Sequence, residues 1–169
     1  MAEHDPQSEP ASSVEHLEGL ADFKSAVDSI CARARRDLAL FSPDLDAPLF
    51  DRDELADALS ALARRHRQTR VRLLVRDTRP LIERGHGLVR LAQRLPSKIS
   101  VRRLTNEIET RAHSFLLCDR DQLLYRNDPE EYRGFVDRKG AAEVRNLREI
   151  FDRAWESAEE DPRLRQLFV

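Results

Sequence analysis

The sequence predicts a mixed α/β fold: a largely parallel sheet flanked by helices, with an appended β-hairpin and a long C-terminal helix. Three observations indicate this class. Segments with helical apolar spacing alternate three times with short apolar runs, as in strands joined by right-handed crossovers. Two further apolar runs, "HSFLLCD" and "QLLYR", are separated only by Arg120 and Asp121, which is typical of a hairpin. A last segment, with apolar residues at helical spacing, follows the hairpin.

The first half of the chain supplies the three helix–strand units. Residues 1–12 are polar and acidic with two prolines, which predicts a disordered tail followed by one domain over 13–169. An apolar stripe over about 14–36 predicts a helix leading into the strand "LALF". A helix that begins near Asp51 precedes the strand "VRLLV", and one that begins after Thr78 precedes the strand "KISVRRL".

The second half adds the hairpin and the C-terminal helices. Gly85 and Gly87 interrupt the third helical pattern, so they indicate a kink or a close packing contact. The long C-terminal helix presents one apolar face, formed by Val144, Leu147, Ile150, Phe151, Ala154 and Trp155. The segment "DPRLRQLF" predicts a short terminal helix that docks on the body of the domain.

Composition excludes several classes of protein. The 169 residues are 40% hydrophobic, enough for one core, and no run approaches the roughly 20 apolar residues of a membrane span. The N-terminus lacks the basic and apolar regions of a secretory signal, which predicts a cytoplasmic protein. Cys31 and Cys118 lie in apolar runs and are expected to be buried, reduced thiols. Cysteine and histidine spacing predicts no metal site and no cofactor.

Charge is unevenly distributed although the net charge is only −2. Residues 64–103 carry 13 basic and two acidic residues, and arginine outnumbers lysine 26 to three in the whole chain. Because the arginine fork suits phosphate and carboxylate groups, this pattern indicates an anionic ligand. Nucleic acid is the less favoured partner, because residues 64–103 contain no Phe, Tyr or Trp and the isoelectric point is near 6.2.

Polar residues follow the predicted parallel strands. In an open α/β sheet, ligands bind beyond the carboxyl ends of such strands, and the hairpin can bring further side chains to the same edge. The candidate ligand-binding residues are therefore Ser42, Arg76, Arg103, Arg111 and Arg126.

The segments "LALFS", "DELADALSALARRHRQ", "VRLLVRD", "ISVRRL" and "AHSFLLCD", in this order, resemble one half of the phospholipase D superfamily over about residues 24–157. The resemblance implies a phospholipase D-like fold. The members of that superfamily include lipases, nucleases and phosphatidyl-transferases. Their motif is histidine, any residue, lysine, four residues and aspartate. The histidine attacks phosphorus, the lysine holds the phosphate oxygens, and the aspartate supports the histidine of the partner half.

The motif is not intact in this chain. With His113 in the place of the nucleophile, Phe115 stands where lysine is required and Asp119 comes one residue early. With Asp119 kept in register, Ala112 replaces the histidine and Ser114 the lysine. His113 and Asp119 are therefore only weak catalytic candidates. The interpretation is a degenerate, non-catalytic phospholipase D-like domain, a pseudoenzyme that binds an anionic small molecule or a protein partner.

Two alternatives stay open. One is a phosphoesterase or nuclease with a rearranged site built from His113, Asp119, Arg111 and Arg126, and the other is a nucleic-acid-binding module. Active superfamily members bring two motif copies together, so the single copy here implies a homodimer if that arrangement persists and a monomer if it does not. The resemblance also associates such domains with acetyltransferase-linked bacterial proteins.

Overall fold

The computed structural model describes residues 13–165. Seven strands in this part of the chain form one sheet in the order β1-β7-β6-β5-β2-β3-β4. The strands are β1 (Val14–Glu18), β2 (Asp37–Ser42), β3 (Arg70–Val75), β4 (Ile99–Arg103), β5 (Ser114–Cys118), β6 (Gln122–Arg126) and β7 (Arg133–Asp137). The helices of the same residues are α1 (Leu20–Arg33), α2 (Ala47–Phe50), α3 (Asp53–Arg65), α4 (Arg79–Arg84), α5 (Gly87–Arg94), α6 (Ala141–Ser157) and α7 (Pro162–Arg165).

The mixed α/β class with a hairpin and a long C-terminal helix is confirmed, but less of the sheet is parallel than the sequence predicts. Strands β2, β3 and β4 pair in parallel. The predicted hairpin, β5 and β6, joins them through an antiparallel pair of β5 with β2. Strands β7 and β1 then extend the sheet by two more antiparallel pairs, so antiparallel pairing predominates.

The start of the predicted first helix is wrong. Residues Val14–Glu18 form β1, which pairs with β7, and the helix begins only at Leu20. Gly19 separates the two elements with a φ of 90°, a left-handed conformation that glycine adopts at little cost. The apolar residues of the sequence keep helical spacing across this break. Leu17, although it lies in β1, is buried in the same core as the apolar residues of α1. The predicted acidic tail, residues 1–12, lies outside the described residues.

Apolar side chains cover both faces of the sheet. On one face, α1, α3 and α5 pack over the alternate strand residues that include Leu38, Leu40 and Leu73. On the other face, α6 buries its predicted stripe against the intervening residues, among them Phe41 and Phe115. Burial of each such large side chain contributes about 1.5–3 kcal/mol, so both faces stabilise the sheet and fix its register.

The single helix predicted between β3 and β4 is divided at the glycine pair into two helices, α4 and α5. Gly85, with a φ of 71°, ends α4, and His86 is the N-cap of α5. The buried His86 ring accepts a hydrogen bond from the Leu88 N–H at Nδ1 (3.1 Å), and its Nε2 lies 2.9 Å from the Leu45 carbonyl oxygen. Burial lowers the pKa of His86. This histidine therefore joins α5 to the loop after β2 in its neutral form.

Both cysteines are buried and unbridged, as predicted. Burial raises the pKa of the Cys31 thiol to about 12 and also raises that of Cys118. Because the thiolate is the reactive form, these groups act as small core residues.

Candidate functional site

One end of the sheet carries the carboxyl ends of the parallel strands. Ser42 ends β2, Arg76 follows β3, and Arg103 ends β4. Because β5 is antiparallel to β2 and β6, the start of β5 and the end of β6 lie at the same end. The N–H of His113 donates to the carbonyl oxygen of Arg126 at 2.9 Å. We call this edge, with Ser42, Asp44, Asp46, Arg76, His113 and Arg126, the strand-end rim.

The guanidinium group of Arg126 is committed to internal contacts. Its side chain is only 5% exposed and lies 3.7 Å from the carboxylate of Asp46. It donates to the carbonyl oxygens of Glu131 (3.2 Å) and Pro129 (3.4 Å), and it stacks 4.2 Å from the centre of the Tyr132 ring. Arg126 therefore holds the loop between β6 and β7 against the rim, and few of its donors remain for a ligand.

The surroundings of His113 are partly acidic. Burial, followed by the positive charge of Arg126, lowers the pKa of His113. Burial and the neighbouring charge of Asp46 raise the pKa of Asp44. The Asp46 carboxylate also accepts a hydrogen bond of 2.5 Å from the Tyr132 hydroxyl. Two carboxyl groups beside His113 oppose the approach of a phosphate, because like charges in a partly buried site repel strongly.

The residue two positions after His113 is part of the core. Phe115, two residues after His113, is fully buried under α6. Its ring lies 5.6 Å from that of Phe41 and 6.3 Å from that of Phe151. The Phe115 side chain therefore packs in the core beneath α6 and offers no charged group to the rim.

Ser42 and Arg76, two predicted ligand-binding residues, have partners within the protein. Ser42 is fully buried, and its hydroxyl accepts a hydrogen bond from the N–H of Leu45 at 3.0 Å. Arg76 forms an ion pair of 3.1 Å with Glu107 at the surface. An anion at this edge must compete with Glu107 for Arg76, although exposed pairs of this kind are weak.

Arg103 and Arg111 do not join the rim network. The backbone of Arg103 pairs with that of Glu159 in an isolated bridge, so it helps to cover the edge of β4. Arg111 is exposed, and within residues 13–165 its side chain has no hydrogen bond or ion pair. The ligand-binding roles of the five candidates stay predictions.

Asp119 lies at the other end of β5 from His113. Its carboxylate accepts hydrogen bonds from the N–H groups of Arg35, Arg36 and Asp37 at 3.0, 3.0 and 3.2 Å. An antiparallel strand rises about 3.4 Å per residue, so roughly 20 Å separates Asp119 from His113 along the strand. The structure therefore does not bring the two weak catalytic candidates together at one phosphate.

A groove of about 1110 Å³ opens at the end of the sheet that carries Asp119. Its lining comprises residues 35–37, His66, residues 119–121 and one face of α6 between Ala141 and Arg148. We call this surface the basic groove. A second depression, of about 620 Å³, adjoins it through Arg35, Asp119 and Asp121 and adds Arg33 and Arg65.

Four guanidinium groups of the basic groove have no partner in the described part of the chain: those of Arg35, Arg36, Arg120 and Arg145. The fifth, of Arg148, pairs with Asp37 at 2.6 Å and donates to the Asp119 carbonyl oxygen at 2.6 Å. Sequence reasoning missed this cluster, because its residues come from separate segments outside residues 64–103. The adjacent arginines between α1 and β2 are the one local signal that could have indicated it.

No group of three or more His, Cys, Asp or Glu side chains within residues 13–165 is placed to hold a metal ion. No helix in the same range is long and apolar enough to cross a membrane.

Comparisons with solved structures show a phospholipase D-like fold. The chain superposes on TrmBL2, an archaeal chromatin protein, with a TM-score of 0.66 and 16% identity, over 93% of this chain and 57% of that one. It superposes on Nuc from Salmonella typhimurium, a phospholipase D family member, with a TM-score of 0.64 and 13% identity, over 88% and 98% of the two chains. It also superposes on NucT from Helicobacter pylori, with a TM-score of 0.62 and 11% identity, over 88% of this chain and 98% of that one.

These identities support the fold alone, and the chain spans little more than half the length of TrmBL2. A comparison with curated proteins gives no match. A family model described as "Domain of unknown function (DUF7931)" matches residues 19–167, nearly the whole chain. The chain therefore belongs to the DUF7931 family of domains.

Proposed function

We propose that this chain is a non-catalytic domain of phospholipase D-like fold that binds an anionic ligand. The observation that supports the proposal most directly is the burial of Phe115, which stands where the resemblance requires the phosphate-holding lysine if His113 is the nucleophile. Loss of one donor that stabilises the transition-state charge typically costs about 10²–10³ in rate. At the rim this loss combines with the carboxyl groups of Asp44 and Asp46, which disfavour phosphate binding next to His113.

A rearranged phosphoesterase site is the weaker alternative. Such a site needs a cation near His113 to replace the lysine, and Arg126 is held by Asp46 and by loop carbonyl groups. Within one chain, Asp119 lies at the far end of β5 from His113, and its carboxylate accepts hydrogen bonds from backbone N–H groups. Arg111 alone remains exposed and unpaired among the described candidates for this role.

Unpaired positive charge in the basic groove supports the binding of an anionic ligand. Arg35, Arg36, Arg120 and Arg145 meet at one surface without partners from residues 13–165, and the arginine fork suits phosphate. One structural relative is described as a chromatin protein with a novel mode of DNA binding, so this fold can serve a binding protein. Assembly as a monomer or a homodimer and a cytoplasmic location remain part of the proposal.

The absence of catalysis is tested with bis-p-nitrophenyl phosphate. We expect hydrolysis at the rate of the buffer alone for the wild type, for His113→Ala and for His16→Ala, a matched change at an exposed histidine of β1. Turnover by the wild type that persists in His16→Ala but is lost in His113→Ala would contradict the proposal and favour the rearranged enzyme.

Ligand binding is tested separately by thermal unfolding. A ligand that binds only the folded state raises the melting temperature by mass action. We therefore expect inorganic tripolyphosphate to raise it above the value in sodium chloride of the same ionic strength. Equal melting temperatures in the two salts would refute the anionic ligand, whatever the hydrolysis assay shows.

A further inference from the structure

We infer that the basic groove binds the phosphate backbone of double-stranded nucleic acid, at the end of the sheet opposite the strand-end rim. The inference rests on the proposed function, a domain that binds an anion without cleaving it. The ligand class is a nucleic-acid duplex, and its binding surface lies away from His113.

The groove is assembled by long-range pairing. Asp119 binds the backbone of residues 35–37, and Arg148 of α6 reaches both Asp37 and the Asp119 carbonyl group. These contacts fix three segments, the loop before β2, the hairpin turn and α6, as one rigid surface. Four arginines of these segments line the same groove, and their guanidinium groups have no hydrogen bond or ion pair within residues 13–165.

The charges at the two ends of the sheet differ. Near the rim, the guanidinium groups of Arg76, Arg79 and Arg126 each lie within 4 Å of a carboxylate. In the groove, the carboxylates of Asp37 and Asp119 are already used by Arg148 and by backbone N–H groups. The exposed Asp121 is the one lining carboxylate in the described residues without a partner. Among the described residues, the lining of the groove therefore has four unpaired positive charges and one unpaired negative charge.

The extent of the surface favours a polymer over a single phosphate. The groove and the adjoining depression share Arg35. The unpaired arginines that line the two depressions are Arg33, Arg35, Arg36, Arg120 and Arg145. Duplex DNA carries one negative charge per about 1.7 Å of its axis, so one duplex can contact several of these arginines at once.

The lining also indicates which form of nucleic acid fits. Proteins that bind single strands stack bases on aromatic side chains, and neither depression is lined by a Phe, Tyr or Trp among the described residues. Contacts to the phosphate backbone alone position a duplex without reading its sequence. We therefore expect binding that depends on charge and not on base sequence.

The test compares two triple variants that remove the same charge. Arg36, Arg120 and Arg145 are changed to alanine in the groove, and Arg84, Arg90 and Arg94 in the control. All six are exposed, and none has a side-chain hydrogen bond or ion pair within residues 13–165, so both variants should fold. Anisotropy of a labelled DNA duplex of about 20 base pairs, measured over a range of salt concentrations, reports affinity and salt slope.

We expect the groove variant to bind the duplex at least tenfold more weakly than the wild type, with a salt slope reduced by about two to three. The control variant should change binding only slightly. Equal losses in both variants, or no duplex binding by the wild type at low salt, would overturn the inference. Tighter binding of a single strand, or equal binding of a polyglutamate of the same charge, would overturn the assignment to a duplex. None of these results depends on the hydrolysis assay.

Discussion

Replacement of Gly134 by alanine is expected to destabilise the protein by about 3 kcal/mol or more, near the upper end for overpacking. Gly134 lies in β7, where the strand passes unusually close to β6. An added Cβ would lie 1.8 Å from the carbonyl oxygen and 2.8 Å from the carbonyl carbon of Tyr125. Because both atoms belong to the backbone, no side chain can move aside and the two strands must separate.

Thermal unfolding measures this effect. For a chain of this size, 3 kcal/mol corresponds to a fall in melting temperature of roughly 10 °C. Gly19→Ala is the control, because its Cβ would meet no atom within 4 Å and only its backbone conformation, with φ 90° and ψ 160°, opposes alanine, at about 1–3 kcal/mol. If Gly134→Ala melts no lower than Gly19→Ala, the close approach of β6 and β7 is not a feature of the folded protein.

Asp119→Ala is expected to cost about 3 kcal/mol, the second large effect. The change removes the acceptor for three backbone N–H groups, and hydrogen bonds to charged groups contribute about 1.5–3 kcal/mol each before solvent exposure reduces them. It also places alanine at a φ of 51°, which adds about 1 kcal/mol. This result would identify Asp119 as the anchor between the hairpin turn and the start of β2.

Denaturant unfolding of three variants separates these contributions. Asp119→Asn keeps one acceptor oxygen and tolerates the left-handed conformation, so it should lose less stability than Asp119→Ala. Asp121→Ala removes the same charge from a neighbouring exposed position and should be close to neutral. An Asp119→Ala variant as stable as Asp121→Ala would show that this carboxylate is not an anchor and would return it to the candidate catalytic residues.

Local sequence patterns were sufficient for the central part of the fold. Strands β2 and β3 are continuous apolar runs, and α3 and α6 carry clear apolar stripes, so each could be predicted from its own residues. Strands β1 and β7 could not, because β1 buries only Leu17 and β7 has a short apolar run next to Gly134. Both are strands because they pair with each other and with β6, and pairing partners are not visible in a short segment.

The candidate site was harder to predict for the same reason. The motif register places His113 and Asp119 in one pattern, but a whole strand separates them in space. Residues 64–103 carry the densest positive charge along the sequence, whereas the arginines of the basic groove, such as Arg35, Arg120 and Arg145, come from three other segments. Only the pairing of the hairpin with β2 and the position of α6 bring these residues together.

The assignment of ligand binding to the end of the sheet opposite the motif histidine can be tested in one titration. Amide ¹H–¹⁵N spectra of the wild type are recorded as a DNA duplex is added, at low salt. We expect the shifted resonances to belong to residues 35–37, 119–121 and 141–148 in the basic groove. Shifts confined instead to Ser42, Asp44, His113 and residues 126–132 would place the ligand at the strand-end rim and contradict this account.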